Sequence, residues 1–152
     1  MGRKAPVAAK LANYEAQYGA AMGFIDFGYG TGIYSALQTM GRPNWRLVNF
    51  GEKAARQGFA NKRAEMWSAV NDWLLEGGAV PEDPILYQDL IGVETKPTMN
   101  GAVQLVSKED MKKMGLPSPN RGDALALTFA YPVFGQAADF TQGRARTQQK
   151  TR

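Results

Sequence analysis

Ala21-Met-Gly-Phe-Ile-Asp-Phe27 runs directly into Gly28-Tyr-Gly-Thr-Gly32. A short apolar run interrupted by one acid and closed by glycines has the length and composition of a buried strand. The glycines predict a turn, followed by a helix over Ile33 to Met40 that stops at Gly41 and Pro43. Trp45-Arg-Leu-Val-Asn-Phe50 then reads as a second strand. Strand, turn, helix and strand in that order describe parallel strands joined by a helical crossover, so the expected class is α/β. On the upstream side, Val7, Leu11, Tyr14 and Tyr18 fall on one face of a helix over Ala5 to Tyr18 that Gly19 can end. That helix should cross over to an earlier strand, and the sequence contains no such strand.

Downstream, Phe59 to Leu75 is the clearest helix. Phe59, Arg63, Met66, Trp67, Val70, Trp73 and Leu74 trace an apolar stripe broken only by Arg63, and Gly77-Gly78 ends it. A short helix is expected over Asp83 to Leu90. Gly92 to Met99 and Ala102 to Val106 flank Asn100-Gly101, a strong hairpin signal. Ser107 can cap a helix over Lys108 to Met114, with Asp110 at the third helical position, and Asn120 can cap a last helix over Arg121 to Ala130. Beyond Pro132 the composition turns polar. No internal repeat is present, and 152 residues suit one domain.

Composition narrows the chemistry. Without cysteine or histidine, the chain has no disulfide, thiolate zinc site, cysteine nucleophile, imidazole base or Ser-His-Asp triad. Hydrolysis would have to rest on carboxylates, lysine, tyrosine or a metal-bound water. The apolar stretches are too short to span a bilayer, and no apolar segment follows the basic Met1-Gly2-Arg3-Lys4. The net charge is +4, and residues 141–152 hold Arg144, Arg146, Lys150 and Arg152 with no acid, so the rest of the chain is neutral. Such a tail suits a polyanion such as DNA, or is simply a solvated terminus.

Asp26 is the most informative candidate. It ends an otherwise apolar strand, where open α/β sheets bind their ligands. A carboxylate there needs a partner: a divalent cation, or the backbone N–H groups of the turn that follows. A dinucleotide reading of that turn fails, because the spacing is G-x-G-x-G, an anionic Asp26 would repel a pyrophosphate, and no acid follows the second strand at the ribose position. A Walker A lysine is also missing. Asp123 opens an otherwise apolar helix, where it can ligate a cation or merely complement the helix dipole. Arg56, Lys62 and Arg63 near the start of the long helix could hold phosphates. Trp67 and Trp73 read as core, and the charged face of Lys108, Glu109, Asp110, Lys112 and Lys113 reads as solvated surface.

Together, five ordered segments resemble the nuclease domain of phage large terminase subunits. They are Phe24-Ile-Asp-Phe-Gly-Tyr-Gly-Thr-Gly-Ile33, Val48-Asn-Phe-Gly-Glu-Lys-Ala54, Ala60-Asn-Lys-Arg-Ala-Glu-Met-Trp67, Lys108-Glu-Asp-Met-Lys-Lys113 and Ser118-Pro-Asn-Arg-Gly-Asp-Ala-Leu-Ala-Leu-Thr-Phe-Ala130. The resemblance covers about residues 20 to 131 and implies a ribonuclease H-like fold in which three acids hold two divalent metals, Mg²⁺ or Mn²⁺. It places Asp26 at the second acid and Asp123 at the third, both catalytic and metal-ligating, with Lys53, Lys62 and Arg63 as backbone contacts to DNA. The first acid sits on a three-strand meander that would precede the Ala5–Tyr18 helix and is expected to be lacking here, along with the ATPase domain. One motif departs from the family pattern: Asn120 stands where an aspartate is common.

The expectation is therefore an incomplete ribonuclease H-like α/β fold over residues 1–136, with a short parallel sheet, flanking helices and a β-hairpin insertion. A basic disordered tail would follow over 137–152. The resemblance implies a share in the metal-dependent endonuclease of a genome-packaging motor in the host cytoplasm. Its partners would be double-stranded DNA, the remainder of the large terminase, and the small terminase subunit and portal. A catalytically incomplete fragment that binds DNA or complements another chain is the alternative, with a nucleotide-binding module more distant.

Overall fold

The computed structural model describes residues 4–134; the expected tail over 137–152 lies outside them. The order is α1 (Lys4–Tyr18), β1 (Gly23–Asp26), α2 (Phe27–Thr39), β2 (Trp45–Val48), α3 (Lys62–Leu75), α4 (Pro84–Gly92), β3 (Thr95–Lys96), β4 (Gln104–Leu105), α5 (Lys108–Lys113) and α6 (Asn120–Leu127). The strands β1 and β2 pair in parallel, Gly23 with Trp45 through Asp26 with Val48. The strands β3 and β4 form a separate antiparallel pair around the Asn100-Gly101 turn, where Gly101 takes φ +74°. This is the predicted hairpin, with shorter strands than its apolar pattern suggested.

The parallel pair is a divider between two cores. Side chains alternate along a strand. Ile25 and Leu47 point to one face and pack with Ala8, Ala12 and Leu37 of α1 and α2. Phe24 and Val48 point to the other, where Met66, Trp67 and Val70 of α3 meet Ala126 of α6 and Ala130 just beyond it. The same alternation places Asp26 on the α3/α6 face. Among the described residues, β1 has no strand on its second edge.

Several boundaries differ from the sequence reading. The Gly28–Gly32 run is not a turn but the opening of α2, which begins directly after Asp26. Glycine is a poor helix former, yet a side chain has no room here. A Cβ on Gly30 would sit 2.0 Å from Ile25 Cγ2 and 3.7 Å from Leu47 Cδ2. Close packing onto the strands, with Asp26 as cap, overrides propensity.

α1 also turns a different face inward. Ala8 and Ala12 are buried and Leu11 of the expected face packs beside them, whereas Val7, Tyr14 and Tyr18 are exposed. Small residues let α2 approach closely, and that gain exceeds the burial of larger side chains on a face with no partner.

α3 starts at Lys62 rather than Phe59, with the Asn61 side chain accepting from Ala64 N–H at 3.0 Å. Asn120 does not cap α6; its side chain accepts instead from the Ser118 hydroxyl at 2.9 Å.

Candidate active site

Asp26 is both the last residue of β1 and the cap of α2. Its Oδ1 accepts from Gly28 N–H at 3.0 Å, so the backbone partner considered from sequence is present. That bond uses one oxygen. The side chain lines a hollow of about 380 Å³ shared with Tyr29, Asn49, Asn61, Arg63, Ser107 and Lys108.

Asp123 stands behind two of those residues. It is only 4% exposed. Oδ1 accepts from Trp67 Nε1 at 2.9 Å and from Arg63 Nε at 3.2 Å. Lys108 Nζ pairs with the buried Oδ2 at 2.8 Å. Asp26 thus shares its hollow with Arg63 and Lys108, the two cations that pair with Asp123 from a distant part of the chain. In charge these two acids and two bases balance.

α6 carries Asp123 to this place, and α4 fixes α6. Asp89, buried on α4, accepts with one oxygen from Arg121 N–H at 2.8 Å and from Gly122 N–H at 3.0 Å. The first turn of α6, which has no local side-chain cap, is therefore capped from another helix. The guanidinium of Arg121 also bonds Asp83, whose carboxyl it holds below the ordinary range, helped by the Leu86 and Ile85 N–H groups. Gly122 must be glycine: a Cβ would lie 2.6 Å from Trp67 Cη2 and 3.1 Å from Asp89 Cβ.

The three residues expected to meet DNA have different surroundings. Lys53 is exposed. Lys62 is only 4% exposed, paired with Glu65 at 3.6 Å and placed over the Tyr131 ring at 4.5 Å. Arg63 is buried against Asp123 and donates from Nη1 to Val106 O at 3.0 Å, while Nη2 has no partner.

Sequence reasoning missed three contributors. Lys108 was assigned to a solvated face but reaches Asp123 and lies over Phe50 at 5.4 Å. Trp67 is core, as expected, yet its N–H is spent on Asp123. Asp89 carried no expectation at all. The available signals were Arg63 interrupting an apolar stripe four residues before an indole, and a single acid inside the apolar α4.

These residues fit a hydrated divalent ion. The buried Oδ2 of Asp123 already faces a cation, the partly exposed Lys108 ammonium, and Mg²⁺ is commonly held by one or two carboxylates with water and phosphate completing its octahedron. Among the described residues no three of His, Cys, Asp and Glu come together as a fuller cage.

No protein-family model and no curated protein matches the chain. Solved structures do. The nuclease domain of the large terminase subunit gp2 of bacterial virus Sf6 superposes with a TM-score of 0.65 at 23% identity, covering 83% of this chain and 72% of that one. This chain has the fold of a large terminase nuclease domain. A lysine-to-alanine variant of the Sf6 domain with manganese and beta-thujaplicinol gives a TM-score of 0.67 at 22% identity, covering 85% and 73%. The same variant has been solved with calcium, at 0.66 and 22%. The terminase nuclease fold is the architecture that the five sequence segments implied, and it accounts for the short parallel sheet between flanking helices. No described helix is long and apolar enough to cross a membrane.

Proposed function

We propose that this chain is part of a metal-dependent DNA endonuclease of a phage genome-packaging motor, acting in the host cytoplasm on double-stranded DNA. The observation that carries the reading is that Asp26 lines a hollow of a terminase nuclease fold whose Arg63 and Lys108 pair with Asp123, 97 positions away in sequence. Asp26 and Asp123 are the residues that would hold Mg²⁺ or Mn²⁺. When bound, such ions activate water and stabilise the leaving oxygen in phosphodiester hydrolysis. The relatives solved with manganese and calcium support the choice of a divalent ion.

The chain's own residues do the positioning. β1 and the α2 cap hold Asp26, while Arg63 and Trp67 hold Asp123 Oδ1 and leave Oδ2 toward Lys108. Arg63 and Lys108 keep the two acids charge-balanced until a cation enters. Lys53, exposed past β2, is assigned to the DNA backbone. For Lys62 and Arg63 such a contact would need their internal pairs to open.

Two-metal catalysis needs more ligands than these two carboxylates. That favours a second reading, an incomplete centre that works with other polypeptide: the remainder of the large terminase, including its ATPase domain, with the small subunit and portal as partners in packaging.

A plasmid-nicking assay with Mn²⁺ tests both. Alone, the chain is expected to nick feebly, and co-expression with an upstream terminase fragment should give a stable complex with cleavage that Asp26→Ala and Asp123→Asn each abolish. Cleavage by the complex that persists in both variants would refute the assignment. Robust cleavage by the chain alone, lost in Asp26→Ala, would instead refute the incomplete-centre reading.

A further inference from the structure

The two oxygens of a carboxylate are chemically equal, and rotation about Cβ–Cγ exchanges them. In Asp123 they have been made unequal. Oδ1 takes the Trp67 indole N–H and the Arg63 Nε–H, and Oδ2 faces the Lys108 ammonium at 2.8 Å. Of the two donors, the indole is neutral, has one donor and no acceptor, and cannot swap roles or titrate away.

The indole is itself locked. Trp67 packs with Met66, Val70 and Ala126, and its outer edge lies where a Cβ on Gly122 would be. Gly122 is the residue before Asp123. One ring therefore touches the α6 backbone on its edge and the carboxylate through its nitrogen. A buried indole N–H needs some acceptor, and a carbonyl would serve. Taking the same oxygen as the guanidinium is what leaves Oδ2 to Lys108, a partly exposed residue on the wall of the Asp26 hollow.

We propose that Trp67 is a positioning residue for the metal centre: its N–H fixes the Asp123 carboxylate so that Oδ2 is the oxygen offered to a divalent cation. This rests on the reading of Asp26 and Asp123 as metal ligands. Outer partners of this kind orient a ligand and raise its affinity without touching the ion.

The test uses the full chain. Its three tryptophans give three indole N–H signals in a ¹⁵N-correlation spectrum, assigned by Trp→Phe variants. Titration with Mg²⁺ should shift the Trp67 signal and leave those of Trp73 and of Trp45, whose N–H donates to Glu15. Asp26→Ala should remove the shift. In parallel, Trp67→Phe should weaken Mn²⁺ binding about 10- to 100-fold, the range for outer-shell partners, whereas Trp73→Phe should leave it unchanged.

Wild-type Mn²⁺ affinity in Trp67→Phe, or a Trp67 signal indifferent to saturating Mg²⁺ in a chain that does bind the ion, overturns the proposal and spares the metal site. A wild-type chain that binds neither ion overturns the metal site itself and this inference with it. The spectrum of the unmutated chain decides the matter even if Trp67→Phe does not fold.

Discussion

Replacing Arg63 by methionine keeps the stem of the side chain and deletes the charge that faces Asp123. Both side chains are nearly enclosed, at 10% and 6% exposure. Removing one partner of a buried ion pair typically costs about 3–5 kcal/mol, because the other charge is left uncompensated. Two local features adjust that figure in opposite directions. Lys108 remains 2.8 Å from Oδ2 and is partly solvated, which softens the loss. The bond from Arg63 to Val106 O also disappears, at about 1 kcal/mol.

We therefore expect Arg63→Met to cost about 3 kcal/mol. Asp123→Asn should cost about the same, since the amide oxygen can still accept from Trp67 but Arg63 loses its counter-charge. With both charges gone, the double variant should cost about 3–4 kcal/mol in place of the additive sum, a coupling of about 2–3 kcal/mol. Equilibrium urea denaturation, followed by tryptophan fluorescence, reads each difference as a midpoint shift, since slopes run at about 1–3 kcal/mol per molar urea. Strict additivity, within about 0.5 kcal/mol, would show that the two charges do not compensate one another, and the account of the site's electrostatics would fall.

Four further outcomes follow from other residues. Asp89→Ala strips the cap from Arg121 and Gly122 and should lower stability by about 1–2 kcal/mol, read as a fall in Tm; an unchanged Tm would mean that α6 finds its place without α4. Tyr131 donates to Glu52 at 2.6 Å, and that bond, then burial, holds its pKa above the ordinary 10.0. Its contribution to stability is therefore intact below pH 10 and lost as pH rises through the folded value, so Tyr131→Phe should flatten the alkaline limb of a Tm-versus-pH curve, and absorbance at 295 nm should lose a tyrosine that ionises above the ordinary range. Finally, Lys53→Ala should weaken DNA binding and reduce the salt slope by about 1, measured by fluorescence anisotropy. Lys62→Ala should instead show itself in Tm, because its ammonium is enclosed by Glu65 and Tyr131.

Much of the fold was readable because periodicity and punctuation agree along the chain. The parallel pair, the long helix, the Asn100-Gly101 hairpin and the Ser107-capped helix occur where the pattern put them. The misreadings share a cause. The glycines at 28–32 have turn propensity, but the close approach of Gly30 to Ile25 and Leu47 and the Asp26 cap favour helix. Val7, Tyr14 and Tyr18 form an apolar face, but the neighbour α2 lies on the alanine face instead. Asn120 is a competent cap, but Asp89 arrives from 31 residues earlier and takes the N–H groups. In each case a partner remote in sequence outbids a local preference.

The same division applies to the candidate site. From sequence alone came the absence of histidine and cysteine, the carboxylate at the end of a buried strand, and five ordered segments naming Asp26 and Asp123; all are matters of residue type and order along one line. Which donors engage each oxygen of Asp123, that Lys108 reaches the acid, and that Trp67 and Asp89 hold α6 in place belong to the tertiary structure. Those facts depend on angles and separations between elements. Such quantities are set by how whole faces pack, and no spacing within a single segment records them.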